Sequence, residues 1–121
     1  MQFIEYPKCS TCIKARKYLA AHHIGFIDRH IVENTPSVEE LRQWVAMSKL
    51  PIDKFFNTSG LIYRENNYKE KLKTMSDDEK LTALSENGML IKRPLLITDT
   101  QVLVGFKETA YDEVIKEVHH A

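Results

Sequence analysis

The sequence predicts an α/β fold in which a mixed four-stranded sheet is assembled first as βαβ and then, after a helical stretch, as ββα. Three observations carry this. An apolar strand over Gln2–Tyr6, a helix from about Ser10 to His22 and a second strand opening at Phe26-Ile27 make a βαβ unit, which implies parallel strands joined by a right-handed crossover. Two apolar runs near the other end, Leu95–Thr98 and Val102–Phe106, flank Asp99-Thr100 as a β-hairpin does. Between these halves, Ser37-x-x-Glu40 and Ser76-x-x-Glu79 are capping-box patterns that announce helices.

Taken in order, Phe3, Ile4 and Tyr6 form a short buried strand, and Pro7 ends it and fixes how the chain enters the next loop. Cys12, Ala15, Tyr18, Leu19 and His22 recur at helical spacing and give the first helix its core face, while Lys14 and Lys17 belong to its solvated side. Gly25 suits the helix stop. The second strand turns polar through Asp28, Arg29 and His30. The next helix starts either with Thr35 capping and Pro36 at the first helical position or with the Ser37/Glu40 box. Its stripe is Val38, Leu41, Trp44, Val45 and Ser48, so the single tryptophan is a packing residue. Pro51 opens a short helical turn with Phe55 and Phe56. Asn57-Thr58-Ser59-Gly60 is a tight turn, read either as plain surface or as the wall of an anion site. Leu61–Thr74 mixes irregular chain with short helix. Leu81, Leu84 and Ser85 carry a further helix to Asn87-Gly88, and Tyr111, Val114, Ile115 and Val118 form the buried stripe of the last one.

The chain has 121 residues, 43% of them apolar and 28% charged, enough for one globular unit over residues 1–121 with a real core. Its 17 basic residues balance 17 acidic ones, so no overall field draws it to nucleic acid or an anionic membrane. The first residues lack a basic region followed by an apolar run, and no stretch reaches transmembrane length. A cytoplasmic location is expected. In that reducing compartment a lone cysteine pair is catalytic or redox-sensing rather than structural.

The chemistry centres on Lys8-Cys9-Ser10-Thr11-Cys12, which hands two cysteines from a strand to a helix N-terminus. Unpaired N–H groups and the positive end of the helix dipole favour an anion there, and the thiolate is the nucleophilic form of cysteine. Cys9 is thus the expected nucleophile. Cys12, one turn later and less exposed, is the expected resolving thiol. Two buried hydrophobic cysteines are the plainer alternative. No metal site is expected, because zinc would need four ligands and the adjacent His22 and His23 lack the separation of ligand pairs.

Three blocks resemble the arsenate reductase (ArsC)/Spx family of the thioredoxin-like fold. They are Tyr6-Pro7-Lys8-Cys9-Ser10-Thr11-Cys12 with Lys14-Ala15-Arg16, Phe55-Phe56-Asn57-Thr58-Ser59-Gly60-Leu61-Ile62-Tyr63-Arg64, and Met89-Leu90-Ile91-Lys92-Arg93-Pro94 with Val104-Gly105-Phe106-Lys107. The resemblance implies a thioredoxin-like domain with a helical insertion over about residues 34–90. It implies Cys9, Cys12 and Arg93 as catalytic residues, and Lys8, Ser10, Thr11, Asn57, Arg64 and Pro94 as substrate-binding candidates. It also implies a cis bond before Pro94, against the general preference: only about 5–6% of X–Pro bonds in folded proteins are cis.

Two functions are implied. One is a thiol-disulfide oxidoreductase like the arsenate reductases, with a small thiol or oxyanion substrate, no bound cofactor, and glutathione or another thiol as reductant, served by glutaredoxin or thioredoxin. Family reductases hold the oxyanion with three arginines, of which only Arg93 is matched, since Asn57 and Phe106 stand at the other two places. The alternative is an Spx-like redox-sensing regulator that binds the α subunit of RNA polymerase; there a glycine precedes the short helix, where this chain has Pro51.

Overall fold

The computed structural model describes residues 1–120; Ala121, the last residue of the expected unit, lies outside the described residues. Strand β1 (Gln2–Glu5) lies inside the sheet. It pairs in parallel with β2 (Ile27–His30) and antiparallel with β3 (Leu95–Ile97), which pairs antiparallel with β4 (Val102–Val104). The order β2-β1-β3-β4 makes a mixed four-stranded sheet.

Side chains alternate across β1, so neighbouring residues serve different cores. Phe3 packs with Leu96 against Ala15 and Leu19 of α1 (Ser10–Ala21) and against Tyr111, Val114 and Ile115 of α6 (Glu108–His119). Ile4 and Leu95 face the opposite way, toward Leu41 and Trp44 of α2 (Val38–Ser48), Phe55, Phe56 and the helical segment beyond. Each such large apolar side chain contributes about 1.5–3 kcal/mol on burial. Helices on both faces hold the end of β1, and the loop that follows it, in place.

The helical segment contains α2, a 3₁₀ turn over Ile52–Phe55, α3 (Leu61–Glu65), α4 (Tyr68–Lys71), α5 (Asp77–Glu86) and a second 3₁₀ turn over Gly88–Leu90. Both capping boxes form: Ser37 and Ser76 accept from the N–H groups of Glu40 and Glu79, whose carboxylates return to the capping residues. Of the two proposed starts for α2, the Ser37 one is realised. Trp44 is buried beneath Arg29, whose guanidinium lies 5.7 Å from the ring and pairs with Glu40. The segment is pinned where it leaves and rejoins the sheet. An isolated bridge joins Phe56 to Ile91, and Gly88 packs so closely that a Cβ there would lie 2.1 Å from the Ile31 carbonyl oxygen.

Several expectations are corrected. The first helix ends at Ala21 with His22 as its cap, close to the expected end, but Gly25 does not close it: His23 takes the left-handed conformation (φ 59°), and the N–H groups of His23 and Ile24 bond back to Ala20 and Leu19. This is a Schellman closure in which buried Ile24 and Leu19 supply the accompanying apolar contact. Tyr6 lies beyond β1, half-buried. The hairpin turns at Asp99-Thr100 as read, with the Thr98 N–H bonded to Gln101 O at 2.9 Å, but β4 ends at Val104 because Gly105 takes φ 80°. Val118 is 43% exposed, since α6 runs past the edge of the core that Tyr111, Val114 and Ile115 fill.

Candidate functional site

The Cys9 loop is short because the chain turns directly from β1 into α1. The Cys9 N–H donates to Tyr6 O at 2.9 Å, and Cys9 O accepts from the Ile13 N–H at 3.0 Å, making Cys9 the N-cap residue of α1. Its side chain closes no capping hydrogen bond, yet the N–H groups of Thr11 and Cys12 face its sulfur. Partial burial pushes the Cys9 thiol up. The Cys12 N–H, the Cys12 thiol, the Thr11 N–H and the positive charge of Arg93 outweigh it, so the thiol sits below its ordinary value.

Cys12 is in the opposite position. It is 0% exposed, and burial, with further contributions from Cys9 and Glu5, pushes its thiol up to about 12 although the Tyr6 N–H works against this. Both cysteines are free thiols. The two sulfurs are therefore near neighbours with opposed tendencies, the half-exposed thiol lowered and the sealed one raised.

Arg93 reaches this loop from the chain before β3. Its Nη1 donates to Met89 O at 3.0 Å, and its guanidinium carbon stands 5.5 Å from the centroid of the Tyr6 ring. Its Nε is buried with no hydrogen-bond partner. The Arg93–Pro94 bond is cis and Pro94 is buried. Lys8, Ser10 and Thr11 are exposed around Cys9.

Asn57 is 8% exposed. Its N–H bonds to Leu90 O at 2.8 Å and its Oδ1 accepts from the Ser59 hydroxyl at 3.3 Å, so this side chain holds the Asn57–Gly60 turn together. Arg64 is exposed and lines an open cavity of about 460 Å³ with Thr58, Tyr63, Asn67 and Lys69. Cys9 is not among that cavity's lining residues. Phe106 packs edge-on against Tyr18 and Tyr111, at 5.5 and 4.8 Å between ring centroids.

Reading the residues in order missed what lies beneath the cysteines. Glu5 is 1% exposed; its Oε1 is ion-paired with Arg16, and its Oε2 has no hydrogen-bond partner. Burial and the nearby carboxylate of Asp28 raise its carboxyl to about 7 against the pull of Arg16. A signal was present: Glu5 follows Phe3 by two residues on a strand, in the phase that points inward.

The fold and this pair of thiols at a helix N-terminus define a thioredoxin-like domain with a mixed sheet and a helical insertion. The model of the ArsC family matches residues 4–114, and the chain belongs to that family. It is 51% identical over 113 residues to YusI, an uncharacterized protein of Bacillus subtilis (strain 168), covering 93% of this chain and 96% of that one. To the regulatory protein MgsR of the same organism it is 30% identical over 88% of this chain and 82% of that one, and to its global transcriptional regulator Spx 28% identical over 84% and 76%. Among solved structures, an ArsC family related protein from Bacteroides fragilis superposes with a TM-score of 0.91 at 47% identity, covering 93% of this chain and 95% of that one. A possible arsenate reductase from Streptococcus mutans UA159 superposes with a TM-score of 0.86 at 41% identity and the same coverage. Reductase-like and Spx-like relatives thus both share this fold. Among the described residues no helix is long and apolar enough to cross a membrane, and no group of three or more His, Cys, Asp or Glu could hold a metal ion.

Proposed function

We propose that the chain is a thiol-disulfide oxidoreductase of the arsenate-reductase-like kind, with Cys9 as nucleophile and Cys12 as resolving thiol. The observation that carries this is the opposed ionisation of two neighbouring thiols: the half-exposed one is lowered, the buried one raised to about 12. The Cys9 thiolate attacks an oxidised sulfur or oxyanion centre and forms a covalent intermediate. Cys12 then displaces the reduced product and closes the Cys9–Cys12 disulfide, which two equivalents of glutathione or a similar thiol return to the dithiol. Glutaredoxin or thioredoxin would serve as protein donor, and no bound cofactor is needed. Arg93, with its planar fork, is suited to hold an anionic group of the substrate beside Cys9, and Lys8, Ser10 and Thr11 rim the same opening.

Arsenate itself is less well supported than a small thiol or another oxyanion. At two of the three arginine places Asn57 is spent on its own turn and Phe106 on an aromatic cluster. A second reading, redox-controlled regulation through the RNA polymerase α subunit, is favoured by the 30% and 28% identity to MgsR and Spx. A Cys12→Ser variant used as bait in cell extract separates the two. Mixed disulfides on Cys9 with glutathione or small thiols support the enzyme, whereas polymerase recovered equally well from a variant lacking both cysteines supports the regulator.

A further inference from the structure

Partial burial raises the Cys9 thiol, and four groups work against it. Three of them, the Cys12 N–H, the Cys12 thiol and the Thr11 N–H, belong to α1 and arrive with the helix. The fourth, the charge of Arg93, comes from the chain before β3 on a long side chain with many rotamers, so its place beside the thiol has to be imposed. The hydrogen bonds of that side chain run through one nitrogen: Nη1 donates to Met89 O at 3.0 Å and lies 3.5 Å from Ile91 O. Such a pivot leaves the guanidinium plane free to swing.

The ring of Tyr6 stops the swing. The guanidinium carbon stands over its face, 5.5 Å from the centroid, within reach of the negative side of the ring quadrupole. Tyr6 is itself fixed from two sides. Its O accepts the Cys9 N–H at 2.9 Å, so ring and thiol belong to one tight turn of chain. Its ring meets that of His30 edge-on, at 5.8 Å and 89°, and His30 Nδ1 accepts from the N–H groups of Val32 and Glu33 at 3.1 and 3.2 Å, which holds the imidazole still. A line of contacts thus runs from the end of β2 through His30 and Tyr6 to Arg93. Arg29 shows the same stacking put to another use. It lies 5.7 Å from the Trp44 centroid, but Glu40 takes both its Nη atoms at 2.7 and 2.9 Å and Asn34 O takes its Nε at 2.9 Å. That cation is satisfied within the fold. Among the described residues Arg93 has no carboxylate partner, and its buried Nε has no partner at all. Its charge is held in place and left uncompensated.

Building on the thiol chemistry proposed above, we infer that Tyr6 is a positioning residue: its ring face holds the Arg93 guanidinium beside Cys9 and so selects reaction partners that carry a negative charge close to the atom under attack. Carboxylate-bearing disulfides are the class that fits. The ring face is what matters, and the hydroxyl is dispensable. Without that face the guanidinium turns to water and the thiol keeps only the groups of its own helix.

The test treats the reduced protein at pH 7 and low salt with neutral iodoacetamide and with anionic iodoacetate, following Cys9 labelling by mass spectrometry. Both reagents consume the same thiolate, so the ratio of the iodoacetate rate to the iodoacetamide rate cancels changes in ionisation and reads the aimed charge. Arg93→Ala should lower this ratio and sets the scale. Tyr6→Leu should lower it by about two- to fivefold, the population ratio that a cation–π contact of ordinary strength sustains, and should move the Cys9 alkylation profile to higher pH. The double variant should fall no further than Arg93→Ala alone, and Tyr6→Phe should keep the wild-type ratio. Should Tyr6→Leu fail to fold, pentafluorophenylalanine at position 6 keeps the shape of the ring while reversing the charge of its face, and should lower the ratio in the same way. A ratio equal to that of Tyr6→Phe in either variant, or a Tyr6→Leu effect that adds in full to that of Arg93→Ala, overturns the role of Tyr6. A ratio unaltered by Arg93→Ala would instead remove Arg93 from the site and the inference with it, and labelling of Cys12 ahead of Cys9 would overturn the nucleophile of the proposed reaction.

Discussion

Replacing Glu5 by Gln should flatten one limb of the protein's pH–stability curve. The Glu5 carboxyl lies at about 7 in the folded chain against an ordinary 4.5, chiefly because burial penalises its charge. The folded state therefore holds this proton more tightly than the unfolded state. The stability it contributes is complete below pH 4.5 and is lost as pH rises through 7. The gap, 7 minus 4.5 or 2.5 pH units, corresponds at 1.36 kcal/mol per unit to about 3 kcal/mol. A glutamine is neutral throughout, so the variant should gain on the wild type by about that amount between pH 4 and pH 8.5. Arg16, whose side chain is 33% exposed, can turn to water when its partner is neutral. Glu40, held at about 2 by Arg29, has the opposite sign: its stability is present above 4.5 and fails only as pH falls through 2. It is common to both proteins and cancels in the difference. Urea unfolding of the reduced proteins at half-unit pH steps measures that difference directly. Curves that stay parallel from pH 4 to 8.5 would refute the account of Glu5 as a buried carboxyl ionising at a cost.

Arg93→Ala should raise the Cys9 thiol and shift its alkylation profile to higher pH, with the thermal midpoint nearly unchanged, while Arg93→Lys should retain most of the charge effect; an unaltered profile in the alanine variant removes Arg93 from the site. Gly88→Ala should cost about 3 kcal/mol or more, because the new Cβ meets backbone rather than a movable side chain, and unfolding midpoints in urea would show it. His23→Gly should stabilise by roughly 0.5–1 kcal/mol, since glycine takes the left-handed position without a Cβ penalty, and a lowered midpoint would count against the Schellman reading of that helix end.

The elements were legible wherever local chemistry decides. Two Ser-x-x-Glu boxes marked two helix starts, and the apolar runs at Phe3-Ile4 and Leu95–Ile97 marked the strands that both cores share. The cysteine pair was legible for the same reason, since its chemistry follows from a strand running into a helix. Partnerships across the fold were not. Nothing near Glu5 in sequence names Arg16 or Asp28 as its neighbours, and those neighbours set how it ionises. The end of α1 near His22 was legible but its closing residue was not: Gly25 is the better left-handed residue in isolation, whereas burial of Ile24 against Leu19 decides the register and leaves His23 in that conformation. Val118 continues the stripe of α6 faithfully, but the core ends before it does.

The close approach of Gly88 to the Ile31 carbonyl brings together the two ends of the intervening stretch, residues 32–87. The exposed connections inside a stretch tied off at its neck are thermodynamically forgiving: doubling the length of a flexible loop costs only about 0.6 kcal/mol in closure entropy, while Leu41, Trp44, Phe55 and Phe56 keep their packing on Ile4 and Leu95. Such connections can lengthen or shorten across generations while β1, β3 and the thiols stay where they are. The turn at Asn57–Gly60 belongs to the tied-off stretch and Cys9 lies outside it, so that turn can be rebuilt without moving the thiol.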